Sequence, residues 1–152
     1  MNDDEAIALA IAEAQAAGER GEVPVGAMLL SEGGEVLARD GNRILEKKDP
    51  TAHAEMLVLR AAAARLGNER LVGTALYVSL EPCAMCAAAA SLARVARVVF
   101  AAEDPKAGGI LHGARFFEQK TCHHRPEVAR AGDAEQAGGL LKAFFQARRT
   151  KA

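Results

Sequence analysis

Hydrophobic and polar positions along this chain switch between a helical and a strand period, and each switch marks an element. Ile7, Ile11 and the surrounding alanines recur at helical spacing up to about Gly18, with Asp3 or Asp4 placed to cap the first turn. Glu22-Val23-Pro24 then leads into Val25–Leu30, an apolar run of strand length. Glu32-Gly33-Gly34-Glu35 reads as a hairpin turn, and Val36–Arg39 as the returning strand. Gly41-Asn42-Arg43 and Lys47–Pro50 form a polar loop. From Thr51 to Leu66 the spacing of Met56, Leu57, Leu59, Ala63 and Leu66 is helical again, and Gly67 stops it.

Ala75–Ser79 is a short buried strand that Glu81-Pro82 breaks, and Cys83–Ala93 a helix of small residues. Val95–Ala101 is the next strand, followed by the loop Asp104-Pro105-Lys106-Ala107-Gly108-Gly109. Ile110 to Val128 is ambiguous and fits a short helix and then a short strand, whereas Ala134–Arg149 is a terminal helix. Strands separated by helices predict an α/β fold, a three-layer α/β/α sandwich with helices on both faces of one sheet. The first two strands form an antiparallel hairpin and the later ones need helical crossovers, so the central sheet is expected to be mixed.

At 152 residues, half of them hydrophobic and a quarter charged, the chain is expected to be a single soluble domain over 1–152. There is no repeat, low-complexity stretch or linker to divide it. An acidic Met1–Glu5 lacks the positive start of a secretory leader, and no apolar run approaches the ~20 residues of a membrane span. Three cysteines, two of them in a C-x-x-C pair, fit a reducing compartment, so the expected location is cytoplasmic with no membrane contact. A net charge of −1 argues against a broad nucleic-acid-coating surface and leaves room for a local basic patch.

The chemistry sits in two strings, His53-Ala54-Glu55 and Pro82-Cys83-Ala84-Met85-Cys86. Zn²⁺ favours tetrahedral sulfur and nitrogen donors; structural sites use four protein ligands, hydrolytic sites three plus water. His53, Cys83 and Cys86 make three, one zinc per chain, and Glu55 stands two residues past the histidine, within reach as general base. Both strings fall at predicted helix starts, where the helix dipole favours thiolates. A lone C-x-x-C can also be a redox pair or half of a closed zinc site, and a lone H-x-E only a polar helix face; the conjunction favours a catalytic metal. Cys122-His123-His124 could supply a fourth ligand or be a buried thiol beside two surface histidines.

The residues Gly21–Ala27, Gly41-Asn42-Arg43, Asp49–Glu55, Leu76–Cys86, Arg97–Phe100, Asp104–Gly108 and Phe144–Arg149 resemble those of the bacterial tRNA-specific adenosine deaminases. The zinc strings are common to the wider cytidine-deaminase-like superfamily and specify chemistry rather than substrate. The resemblance runs from about Ala6 to Arg149 and implies the cytidine-deaminase-like sandwich. It implies deamination of adenosine to inosine at the wobble position of an arginine tRNA, by zinc-hydroxide attack on C6 with Glu55 as proton shuttle. It further implies a homodimer that binds the tRNA anticodon stem-loop.

By the same resemblance Asn42 hydrogen-bonds the flipped nucleoside, the Ala54 backbone reads a ring edge, and the loop of Asp104 and Lys106 contacts anticodon nucleotides. Gly41-Asn42 could equally mark a turn, and the 104–106 loop could be only solvated. Phe144 and Phe145, with Lys142, Arg148, Arg149 and Lys151, end the chain in a basic aromatic segment suited to stacked bases and phosphates. An amphipathic helix with core phenylalanines explains the aromatics as well. Glu103 and His123 depart from the residues expected beside the tRNA. A deaminase of a free base or nucleoside, guanine or cytosine, would need the same zinc and Glu55 but no basic terminal segment. A zinc-stabilised RNA-binding module would need four protein ligands and would release no ammonia.

Overall fold

Five strands form one sheet in the order β2-β1-β3-β4-β5 in the computed structural model, which describes residues 1–150. They are β1 (Gly26–Leu30), β2 (Val36–Gly41), β3 (Ala75–Leu80), β4 (Arg97–Ala102) and β5 (Glu127–Arg130). β1 runs antiparallel to both β2 and β3, whereas β3, β4 and β5 are parallel, so the sheet is mixed. The helices are α1 (Asp3–Glu19), α2 (Ile44–Lys47), α3 (Ala54–Leu66), α4 (Ala84–Leu92) and α5 (Ala134–Thr150). Lys151 lies outside the described residues.

Strand alternation explains the three layers, because successive side chains leave a strand on opposite faces. Ala27, Leu29, Leu76, Val78, Val98 and Phe100 point to one face and pack with Ala54, Val58 and Ala62 of α3 and Ala87 and Ala90 of α4. Their neighbours Met28, Leu30, Tyr77, Val99 and Ala101 point to the other, against Ala6, Ile7 and Ile11 of α1 and Ala137 of α5. Small residues bring helix and sheet close. A Cβ on Gly26 would collide with the Ala10 carbonyl and the Ala14 amide of α1, so only glycine fits there.

Several local expectations are refined. Asn2, not Asp3 or Asp4, caps α1: its Oδ1 accepts the Glu5 N–H at 2.8 Å while Glu5 reaches back to the Asn2 N–H. Asp3 is drawn away by tertiary partners, accepting from the Tyr77 hydroxyl at 2.7 Å and pairing with Arg97 at 2.9 Å. The polar stretch after Asn42 contains the short α2, whose Leu45 and Glu46 N–H groups donate to the buried Glu22 carboxylate. The ambiguous stretch holds a 3-10 turn at Phe116–Glu118 and then β5.

Strand direction places the site. The start of β1, the end of β2 and the ends of β3 and β4 all meet at one edge of the sheet, as the Gly26–Gly41 and Ala27–Val78 pairings require. Ligands of open α/β sheets bind outside the carboxyl ends of parallel strands. Asn42, Cys83 and Asp104 each follow a strand at this edge.

Candidate metal centre and active-site pocket

His53 is the N-cap residue of α3 and Cys83 the N-cap residue of α4, both with extended backbone. Neither side chain hydrogen-bonds to its own helix start, and both line the same pocket. Cys86, three residues on, lies in the first turn of α4 on the same side as Cys83. One metal-ligating atom from each of His53, Cys83 and Cys86 falls within 4.8 Å of the others. His53 Nδ1 stands 3.6 Å from Cys83 Sγ and 3.5 Å from Cys86 Sγ. An ion ~2.3 Å from sulfur and ~2.0 Å from nitrogen at the tetrahedral angle separates those atoms by about 3.5 Å. The donors fit zinc.

Their electrostatics agree. The Cys86 thiol hydrogen-bonding to it, aided by His53, lowers Cys83 to about 4. Cys86 is pushed upward by its hydrogen bond to that sulfur and by burial. The Cys83 sulfur also raises His53. A second thiolate is unfavourable here without a cation, and a divalent ion among the three donors removes that conflict.

Glu55, in the first turn of α3, is 3% exposed, and burial pushes its carboxyl up to about 6. Among the described residues its Oε1 is the buried side-chain oxygen with no hydrogen-bond partner. An orphaned buried acceptor is costly in a folded protein and marks a place where a ligand or solvent belongs. Glu55, His53 and Cys83 line a cavity of about 210 Å³ whose apolar walls include Val23, Val25, Ile44 and Leu80. Asn42, Glu81, Asp104 and Ala107 complete its rim. That volume is below the ~300–1,000 Å³ of sites for drug-sized ligands, and suits a single ring system rather than a whole nucleotide.

The matching family model is the cytidine and deoxycytidylate deaminase zinc-binding region, over residues 1–102. The tRNA-specific adenosine deaminase of Agrobacterium fabrum is 52% identical over 93% of this chain and 92% of its own length. That of Aquifex aeolicus is 42% identical over 96% and 95%. The chain belongs to the tRNA-specific adenosine deaminase family. A structure from studies of A-to-I editing by tRNA:A34 deaminases superposes with a TM-score of 0.88 at 51% identity, covering 90% of this chain and 99% of that one. A guanine deaminase from Bacillus subtilis shares the fold more distantly, with a TM-score of 0.66 at 29% identity over 100% and 96% of the two chains.

Against the expectations for a member of this deaminase family, the remaining residues fall as follows. Ala54, whose backbone is expected to read a ring edge, donates its N–H to Asn42 Oδ1 at 2.8 Å. Asn42 Nδ2 in turn donates to the Val23 carbonyl at 3.0 Å, so its carboxamide is fixed at the pocket rim. Asp104 Oδ1 accepts the Lys106 and Ala107 N–H groups and holds its own loop in a turn. Cys122 is away from the donor cluster: its sulfur lies 3.5 Å from Ser91 Oγ and donates to the His124 carbonyl, while His124 Nε2 bonds the Val95 carbonyl. Among the described residues no fourth side chain joins His53, Cys83 and Cys86.

At the C-terminal helix the two phenylalanines divide. Phe144 is half-buried beneath the Arg148 guanidinium, 3.3 Å from its ring centre, and Arg148 donates to the Gly21 carbonyl. Phe145 is 45% exposed and shares a groove with Lys106, Arg148 and Arg149. Glu103 pairs with Arg130 at 2.8 Å. In the sequence Glu81 marks only the break after a strand, yet a carboxylate closing a buried strand one step before Pro82-Cys83 is a signal in itself.

Proposed function

We propose that this enzyme hydrolyses the wobble adenosine of a tRNA anticodon to inosine, with an arginine tRNA as substrate. One observation carries the reading: the unpartnered Oε1 of buried Glu55 beside three zinc donors in a ring-sized pocket. The names of the similar proteins support adenosine in tRNA as the substrate.

His53 Nδ1, Cys83 Sγ and Cys86 Sγ would hold one zinc per chain. When bound, zinc supplies a Lewis acid that brings the pKa of water toward about 7. Glu55 takes a proton from the attacking water and delivers it to N1 of the adenine, which makes C6 electrophilic. Once C6 is tetrahedral, Glu55 takes the second water proton from the new C6 hydroxyl and passes it to the 6-amino group, which leaves as ammonia; the water oxygen becomes O6 of inosine. Water and adenosine are consumed; inosine and ammonia are formed.

A stacked adenosine cannot reach the donors, so the base is extruded into the cavity between the apolar walls. Asn42, fixed by Ala54 and Val23, offers its second amide hydrogen to the base. Ala54 therefore serves by orienting Asn42. Asp104 and Lys106 meet the flanking nucleotides. Phe145, more exposed than Phe144, stacks on a neighbouring base while Arg148 and Arg149 meet phosphates. A homodimer in the cytoplasm belongs to the same reading; no helix among the described residues is long and apolar enough to cross a membrane.

The test is incubation of the zinc-loaded enzyme with an anticodon stem-loop, free adenosine, guanine and cytosine in parallel. Inosine at the wobble position is expected. Turnover of a free base with an unchanged stem-loop would overturn the substrate assignment in favour of a base deaminase.

A further inference from the structure

Asp104 and Ala107 form one wall of the pocket, and their loop is fixed by a carboxylate that the reaction does not use. The Glu81 side chain is 0% exposed. Its Oε2 accepts the N–H groups of Ile110, Leu111 and His112 at 3.1, 3.0 and 3.2 Å. Its Oε1 accepts the Asp104 N–H at 3.1 Å and faces His112 Nδ1 at 2.8 Å. Gly109 N–H also donates to the Pro82 carbonyl at 2.8 Å. A Cβ on Gly109 would collide with the Ala84 backbone, so the loop presses directly on the peptide that starts α4.

A buried carboxylate is tolerated only where its lone pairs are satisfied, and four backbone amides with one imidazole do that here. The same five donors span the loop from Asp104 to His112. His112 is tethered outward too, with Nε2 3.7 Å from Glu103, which pairs with Arg130. Breaking this cluster releases the loop while leaving the three metal donors in place.

We propose that Glu81, locked by His112, is a positioning residue that sets the substrate wall of residues 104–112 against the thiolate end of α4. It therefore governs how tightly the substrate is held, not the chemical step. The identity of that substrate rests on the deaminase reading above.

The experiment compares zinc-loaded parent, His112→Ala and His112→Asn by steady-state kinetics on an anticodon stem-loop and by amide hydrogen exchange. His112→Ala is expected to raise KM about ten-fold with kcat within about two-fold, the loss of one hydrogen bond to a charged group. It also speeds exchange at the amides of residues 104 and 110–112. His112→Asn places a carboxamide N–H where Nδ1 sits and restores both readouts. Glu81→Gln, which turns a donor NH2 toward the donor amides, is expected to give the larger rise in KM; if it fails to fold, the His112 pair decides. Unchanged KM and exchange in His112→Ala overturn the proposal, as does loss of zinc and kcat at constant KM, or a failure of His112→Asn to restore. Should the parent form no inosine, the reading of function fails. The exchange result then still decides the clamp: faster in His112→Ala and restored in His112→Asn supports it, no change refutes it.

Discussion

The Ala54 N–H donates to Asn42 Oδ1 at 2.8 Å, joining the end of β2 to the first residue of α3 between His53 and Glu55. Asn42 also donates its own N–H to the Val25 carbonyl and its carboxamide to Val23, so three segments of the pocket share one residue. Asn42→Ala leaves the Ala54 amide buried without an acceptor. It should lower stability by about 1–3 kcal/mol in urea unfolding. Turnover should fall as well, because His53 and Glu55 flank the released amide. Unchanged stability would show that the bond is not formed.

Glu55→Gln keeps size and burial but removes the proton acceptor. Single-turnover inosine formation should fall by about 10²–10⁴-fold, the usual share of general acid–base catalysis. Zinc content and stem-loop binding should stay near those of the parent. Near-normal turnover would remove Glu55 from the chemistry.

Cys122→Ala tests the closed-site alternative. Cys122 is hydrogen-bonded to Ser91 and to the His124 carbonyl, not turned to the donor cluster. The variant should retain one zinc by metal analysis and most of its activity. Loss of the metal would make Cys122 a ligand.

Asp3 links α1 to the sheet, and its pH response follows. The Arg97 hydrogen bond, and after it that of Tyr77, holds the Asp3 carboxyl below its ordinary 3.8. A carboxylate lowered in the folded state contributes stability above its unfolded value, and loses it as pH falls through the folded one. Asp3→Asn should be less stable than the parent at pH 7 in urea unfolding. The two curves should converge below about pH 4. A constant difference at all pH values would contradict the pairing.

Arg148 connects to the RNA reading through salt. If Arg148 meets a phosphate, Arg148→Ala should reduce the slope of log K against log[salt] for stem-loop binding by about one. An unchanged slope would leave Arg148 with its contacts to Phe144 and Gly21 only.

The layered fold was legible because its signals are local: Val98, Val99 and Phe100 alternate between faces, and Ile7 and Ile11 lie one helical turn apart. The candidate metal donors left local marks: His53 and Cys83 sit where two helices begin, and the spacing of Cys83 and Cys86 sets both sulfurs on one side. Tertiary partners were not legible. Asp3 has the chemistry of a cap, yet Tyr77 and Arg97, more than 70 residues away, take it and leave the cap to Asn2. Glu81 and His112 are separated by 31 residues of chain, and no periodicity foretells that a carboxylate will gather backbone amides. Phe144 and Phe145 are identical by composition; only the packing of Arg148 over Phe144 separates them.

Zinc K-edge X-ray absorption on the loaded enzyme reads directly whether three protein donors hold the metal and leave one position for solvent. Two sulfurs at about 2.3 Å and two lighter atoms at about 2.0–2.1 Å, only one of them an imidazole nitrogen, are expected. A third sulfur or a second imidazole, making four protein ligands, would contradict the three-donor centre.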